Sequence, residues 1–77
     1  MNSAEFKESN EYKNAVKKIC SYSKGFVFTI PYHKMTQGQK KAMDIITSEC
    51  INRKIIDSYS IGLNVTGQIV EESFIRL

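Results

Sequence analysis

The spacing of apolar residues changes three times along this chain between a helical and an extended period. That alternation restricts the possible folds more than any other feature. Tyr12, Val16, Ile19 and Cys20 recur at i, i+4, i+7 and i+8, one face of a helix. Phe26, Phe28, Ile30 and Tyr32 then alternate with Val27, Thr29 and Pro31, the period of a strand. Ala42, Met43, Ile46 and Cys50 return to the helical period, and Tyr59, Ile61, Leu63 and Val65 alternate again with Ser58, Ser60, Gly62 and Asn64. A second extended run follows from Gln68 to Leu77. The order is α-β-α-β-β, which predicts an α+β fold: a three-stranded, mainly antiparallel sheet with two helices packed on one face.

Local signals place the boundaries. Ser3 or Ser9 can cap the first helix, because a serine oxygen accepts from the first free amides. Gly25 can end it by adopting positive φ. Thr36 with Gln39 three residues on reads as a capping box for the second helix, which should run to about Arg53 or Lys54. The face holding Phe26, Phe28, Ile30 and Tyr32 belongs in the core, as does the Tyr59, Ile61, Leu63 and Val65 face of the later strand. Asn64-Val65-Thr66-Gly67 suits a type I turn joining two hairpin strands. In the return strand Ile69, Ile75 and Leu77 share one parity and Val70 and Phe74 the other, which calls for either a bulge near Glu71-Glu72 that swaps the faces or partial cover on both faces. Pro31 cannot donate to a ladder, so the strand either ends there or lies at an edge. Placing the last strand in the middle satisfies both the proline and the hairpin. A parallel pairing of the first two strands through a right-handed crossover is the alternative.

Seventy-seven residues make one domain, 1–77, burying only about 60% of what the unfolded chain exposes. A deep catalytic cleft is hard to carve from so little core. No phosphate-cradling or nucleophile-elbow motif occurs, and adjacent Glu71 and Glu72 point to opposite faces of a strand, so no enzyme, cofactor or metal is expected. Cys20 and Cys50 both fall on apolar faces and are expected to be buried free thiols. No apolar run reaches the ~20 residues of a membrane span. The opening residues show no basic region followed by an apolar stretch, so a cytoplasmic location is expected.

Charge is concentrated in the middle. Residues 12–54 hold nine Lys and Arg against Asp44 and Glu49, a net of +7, while residues 1–11 and 55–77 are each −2. A basic centre with acidic ends suggests a positive surface that meets a polyanion or an acidic protein. Lys34, Lys40, Lys41, Arg53 and Lys54 flank or lie on the second helix, with Lys40 and Lys41 on its exposed side. Lys17 and Lys18 add the first helix, and His33, the one histidine, stands beside Lys34 where it can touch a phosphate. These residues form the candidate binding set. Lysine outnumbers arginine nine to two, which argues against bidentate base recognition but permits contact with a nucleic-acid backbone. A winged helix would need two helices between Thr36 and Lys54, where one continuous helix is simpler.

The same skew appears elsewhere: ten Ile against two Leu, with plentiful Asn, Ser and Tyr. In size and composition the chain resembles the small accessory proteins that large lytic phages make early in infection. The resemblance implies a non-catalytic inhibitor or adaptor that occludes a surface on a host protein, such as a defence or toxin–antitoxin component, in the host cytoplasm. The alternative function is a small basic RNA- or DNA-binding module using the Lys-rich middle. An uncovered edge strand in so small a protein also invites a homodimer or a partner's strand.

Overall fold

The computed structural model describes residues 3–77; Met1 and Asn2, where the stretch read for a leader begins, lie outside the described residues. Three α-helices, a 3-10 turn and three strands follow one another. They are α1 (Ser3–Lys7), α2 (Asn10–Cys20), β1 (Val27–Ile30), the turn Tyr32–Lys34, α3 (Gln37–Asn52), β2 (Ile56–Leu63) and β3 (Ile69–Arg76). The α+β class is as expected, with one helix more.

Ser9 creates the extra helix. Its Oγ donates to the Phe6 carbonyl at 2.6 Å, closing α1, and accepts from the Tyr12 amide at 3.2 Å, opening α2. Ser3 begins α1 and Ser9 caps α2, so two starts read as alternatives are both used. On α2, Tyr12, Val16 and Ile19 are buried, but Cys20 is exposed, against expectation. The helix stops there, so no following turn covers that thiol. Cys50, in the middle of the core, is fully buried, and burial pushes its thiol pKa up.

Pro31 ends β1 at Ile30, and Tyr32 leaves the sheet for the 3-10 turn, half-buried instead of in the core. Phe26 is also outside the core. Its amide closes a turn onto the Ser23 carbonyl, and its ring packs on Tyr22 at 4.7 Å beyond the strand's end. The capping box of α3 forms: Gln39 N–H donates to Thr36 Oγ1 at 3.2 Å, and Thr36 N–H to Gln39 Oε1 at 2.9 Å. At the other end Ile55 N–H reaches the Cys50 carbonyl and Lys54 N–H the Ile51 carbonyl, both at 2.9 Å. That pair of bonds requires a left-handed residue, and Lys54 supplies it at φ 58°. A side chain there costs about 1 kcal/mol. Lys54→Gly is therefore expected to raise stability by about 0.5–1 kcal/mol, read as a higher thermal midpoint.

The strand order is β1-β3-β2, every pairing antiparallel, with the proline at an edge. Phe28 pairs with Phe74 and Ile30 with Glu72, while Ile56 pairs with Arg76 and Ser58 with Phe74, so these residues share one face. From that face Ile30, Ile56 and Phe74 meet Val16, Ile19, Ile46 and Cys50 of α2 and α3 in the core. The hairpin turn is as read: Gly67 N–H returns to the Asn64 carbonyl at 3.0 Å, and Asn64 Oδ1 accepts from the Thr66 and Gln68 amides.

The β2–β3 ladder carries two bulges. Ser58 pairs with Phe74 and Ser60 with Ser73, leaving Tyr59 extra; Gly62 pairs with Glu71 and Leu63 with Ile69, leaving Val70 extra. The second lies one residue from the expected place and accounts for the mixed parity of β3. The first was not anticipated. It moves Ile61, paired with Glu72, onto the face of Ile30 and Phe74.

The buried hairpin face that the alternation suggested is not buried. Tyr59, Ile61 and Leu63 are 62%, 56% and 59% exposed, and Val65 at the tip is fully so. The helical layer covers β2 only at Ile56, its first residue, and the rest of the strand runs past it.

Candidate functional site

A groove opens where α1, the start of α2, the segment Pro31–Met35 and the first half of α3 converge. Its volume is about 450 Å³. Phe6, Pro31, Met35, Ala42, Met43 and Ile46 line it with apolar surface, and the exposed Glu11, Lys34 and Gln39 stand at its rim. Each wall follows from local structure. Phe6 is carried by the short α1 and locked edge-on against Tyr12, ring centroids 5.7 Å apart. Pro31 turns the chain out of the sheet so that Lys34 and Met35 fall beside α3. Met35 and Met43 give the groove two flexible, polarisable side chains that adapt to what they touch.

Of the basic candidates, His33, Lys34, Lys40 and Lys41 lie within nine residues of one another in the chain, and one of them reaches this groove. Lys34 lines it, and Lys41 is exposed on α3. Lys40 is half-buried, a correction to the exposed position expected from its helical face. His33 is exposed but not idle: its Nδ1 lies 3.0 Å from the Val70 carbonyl, and it must carry the proton there because the carbonyl only accepts. It ties the 3-10 turn to the bulge of β3.

The other candidates do not join this group. Lys17 and Lys18 are exposed in the last turn of α2. Arg53 stands twelve residues from Lys41 on one helix, about 18 Å along its axis. Its Nε donates to Glu49 Oε1 at 3.1 Å, and Lys7 Nζ approaches Glu49 Oε2 at 3.6 Å. The Arg53 hydrogen bond first, then the Lys7 charge, hold the Glu49 carboxyl below the ordinary carboxylate range. Lys54 is committed to the left-handed turn after α3. The second arginine, Arg76, donates from its guanidinium to the Ile55 and Cys20 carbonyls, both at 3.3 Å.

Tyr32, next to the groove's Pro31, points the other way. Its hydroxyl donates to Glu72 Oε2 at a long 3.4 Å. Partial burial, then the Glu72 charge and hydrogen bond, push its pKa up to about 12, so it stays a protonated phenol at neutral pH. Among the described residues, no three His, Cys, Asp or Glu side chains gather to hold a metal ion, and no helix is long and apolar enough to cross a membrane.

The groove escaped sequence reading because three of its walls are far apart in the chain. The one local signal was Phe6, a lone aromatic in an otherwise polar opening stretch. No family model, no curated protein and no solved structure matches the chain.

Proposed function

We propose that the chain is a non-catalytic binding protein, an inhibitor or adaptor that covers a working surface of a host protein such as a defence or toxin–antitoxin component. The observation that supports this most is the α3 groove: an apolar, methionine-bearing recess with Lys34 and Glu11 at its rim. Recesses of about 300–1,000 Å³ seat ligands or anchoring side chains. The partner segment best matched to it places one bulky apolar side chain in the groove and an acidic residue against Lys34. Binding energy then concentrates in the buried anchor, with the charges setting orientation and on-rate.

The RNA- or DNA-binding reading draws on the same lysines with less support. Both arginines are engaged, Arg53 by Glu49 and Arg76 by backbone carbonyls. The most exposed tyrosine, Tyr59, sits on a strand with no lysine or arginine. The test is capture from nuclease-treated bacterial lysate with the wild type and with Lys34→Glu. The reversal is expected to leave the fold intact and weaken partner binding at least about tenfold. Recovery of no stoichiometric protein counts against the inhibitor reading. Recovery that disappears with nuclease, together with binding to labelled RNA that falls steeply with salt, transfers the site to nucleic acid.

A further inference from the structure

We infer that β2 is a homodimer edge, along which two copies join their sheets into one of six strands. The proposal concerns a surface separate from the groove, whose lining contains no residue of β2 or β3.

Of the sheet's two edges, only β2 is long and open. β1 has four residues and stops at Pro31, whereas β2 has eight, with no proline, lysine or arginine to repel a neighbouring strand. Its start is blunted by its one charge, since the Asp57 carboxylate accepts from the Ser58 amide at 2.8 Å. The stretch left open is Ser60–Leu63, and no strand lies beyond it. Ile61 and Leu63 stand there more than half exposed, with Ile69 beside Leu63 also exposed. They lie on the face that holds Ile30 and Phe74, but beyond the helical cover.

A second copy satisfies this strand in both respects, hydrogen bonds and apolar cover. Antiparallel self-pairing needs a two-fold axis perpendicular to the sheet, which keeps the helices of both copies on one side. It must therefore pass through a residue, because paired residues share a face. Centred on Ile61, the axis sets Ile61 against its own copy, and Ser60 against Gly62. The two uncovered apolar strips then meet between the two helical layers. Asp57 lies four positions from the axis, so the two copies' carboxylates are about 27 Å apart, well beyond the screening length of about 8 Å. A stable dimer hides about 800 Å² per partner, roughly 15% of the 5351 Å² one copy exposes. The strand edge with Tyr59, Leu63, Val65 and Ile69 around it offers a contiguous surface for that burial.

The test is analytical ultracentrifugation of the full chain from about 1 µM to about 1 mM, a range that brackets ordinary self-association. Amide exchange is measured at both ends of the series. The wild type is expected to reach twice 8.8 kDa, with the outward-pointing amides of Ser60–Leu63, those not already bonded to β3, protected only in the concentrated sample. Ile61→Lys is expected to raise the dissociation constant about 100-fold or more with unchanged far-UV circular dichroism; Leu63→Lys serves if that variant unfolds. Thr29→Lys, on the other edge, and Lys34→Glu, at the groove, are expected to dimerise normally. The proposal is overturned by a monomer throughout the series, by a dimer indifferent to both β2 lysines, or by a dimer whose β2 amides remain labile.

Discussion

Phe74→Ala is expected to remove about 3–5 kcal/mol of the chain's folding free energy. Phe74 is 1% exposed on the middle strand, paired with Phe28 on one side and Ser58 on the other, its ring 5.8 Å from that of Phe28. Truncating such a ring costs about 3–5 kcal/mol, the lost transfer energy plus the cavity left behind. A domain of this length has about 4–12 kcal/mol to lose. The surroundings cannot close the gap cheaply, because the strand that carries Phe74 is held by a ladder on each side. Urea unfolding followed by circular dichroism should show a midpoint lowered in proportion to that loss, with an unchanged slope. A loss below about 1 kcal/mol would mean that the core is not organised around β3.

Phe6→Ala removes a side chain of the same size and almost the same burial, 2% exposed, yet its expected effect is different in kind. α1 has five residues, far too few to hold helical structure alone. It stays because Phe6 inserts into the core against Tyr12, and because Lys7 reaches Glu49. About 3–5 kcal/mol of contact is lost, but the strands and α3 keep theirs. The expected result is local detachment: amide protection disappears in α1, while β3 and α3 remain protected. Because Phe6 lines the groove, partner binding should fall with it. Global unfolding in parallel with Phe74→Ala would refute the separation of the two.

The elements whose signals are short-range were readable in advance. The Thr36–Gln39 box, the stop at Pro31 and the Asn64–Gly67 turn each act within four residues, and each forms as the residue types require. Strand order followed from two of them. What the sequence hid depends on lengths of different elements compared with one another. Alternation says which residues share a face, but not whether another layer lies over it. Ile61 and Leu63 carry the alternation of a buried strand and lie on the helical side, yet they are bare because the cover ends at Ile56. Ser9 was ambiguous for a different reason. One hydroxyl can donate and accept at once, so it ends one helix while starting the next, and either role alone would have produced the same residue. The groove's site residues were half-visible: Lys34 was picked by charge, while the apolar recess beside it needs Phe6, Pro31 and α3 brought together by the fold.

The placement of β3 between β1 and β2 also governs when this protein can exist. β1 and β2 never touch each other; both wait for the strand made after them. While β3 is still being synthesised, everything before it is chain with helical tendencies and two strands lacking partners. Val27 then pairs with Ile75, closing a span of nearly fifty residues in one step. Closing so long a loop is slow relative to forming a helix or a hairpin. The hairpin of β2 and β3 is therefore the natural nucleus, and β1 the strand that docks last. A ribosome stalled before β3 holds a nascent chain with no sheet at all.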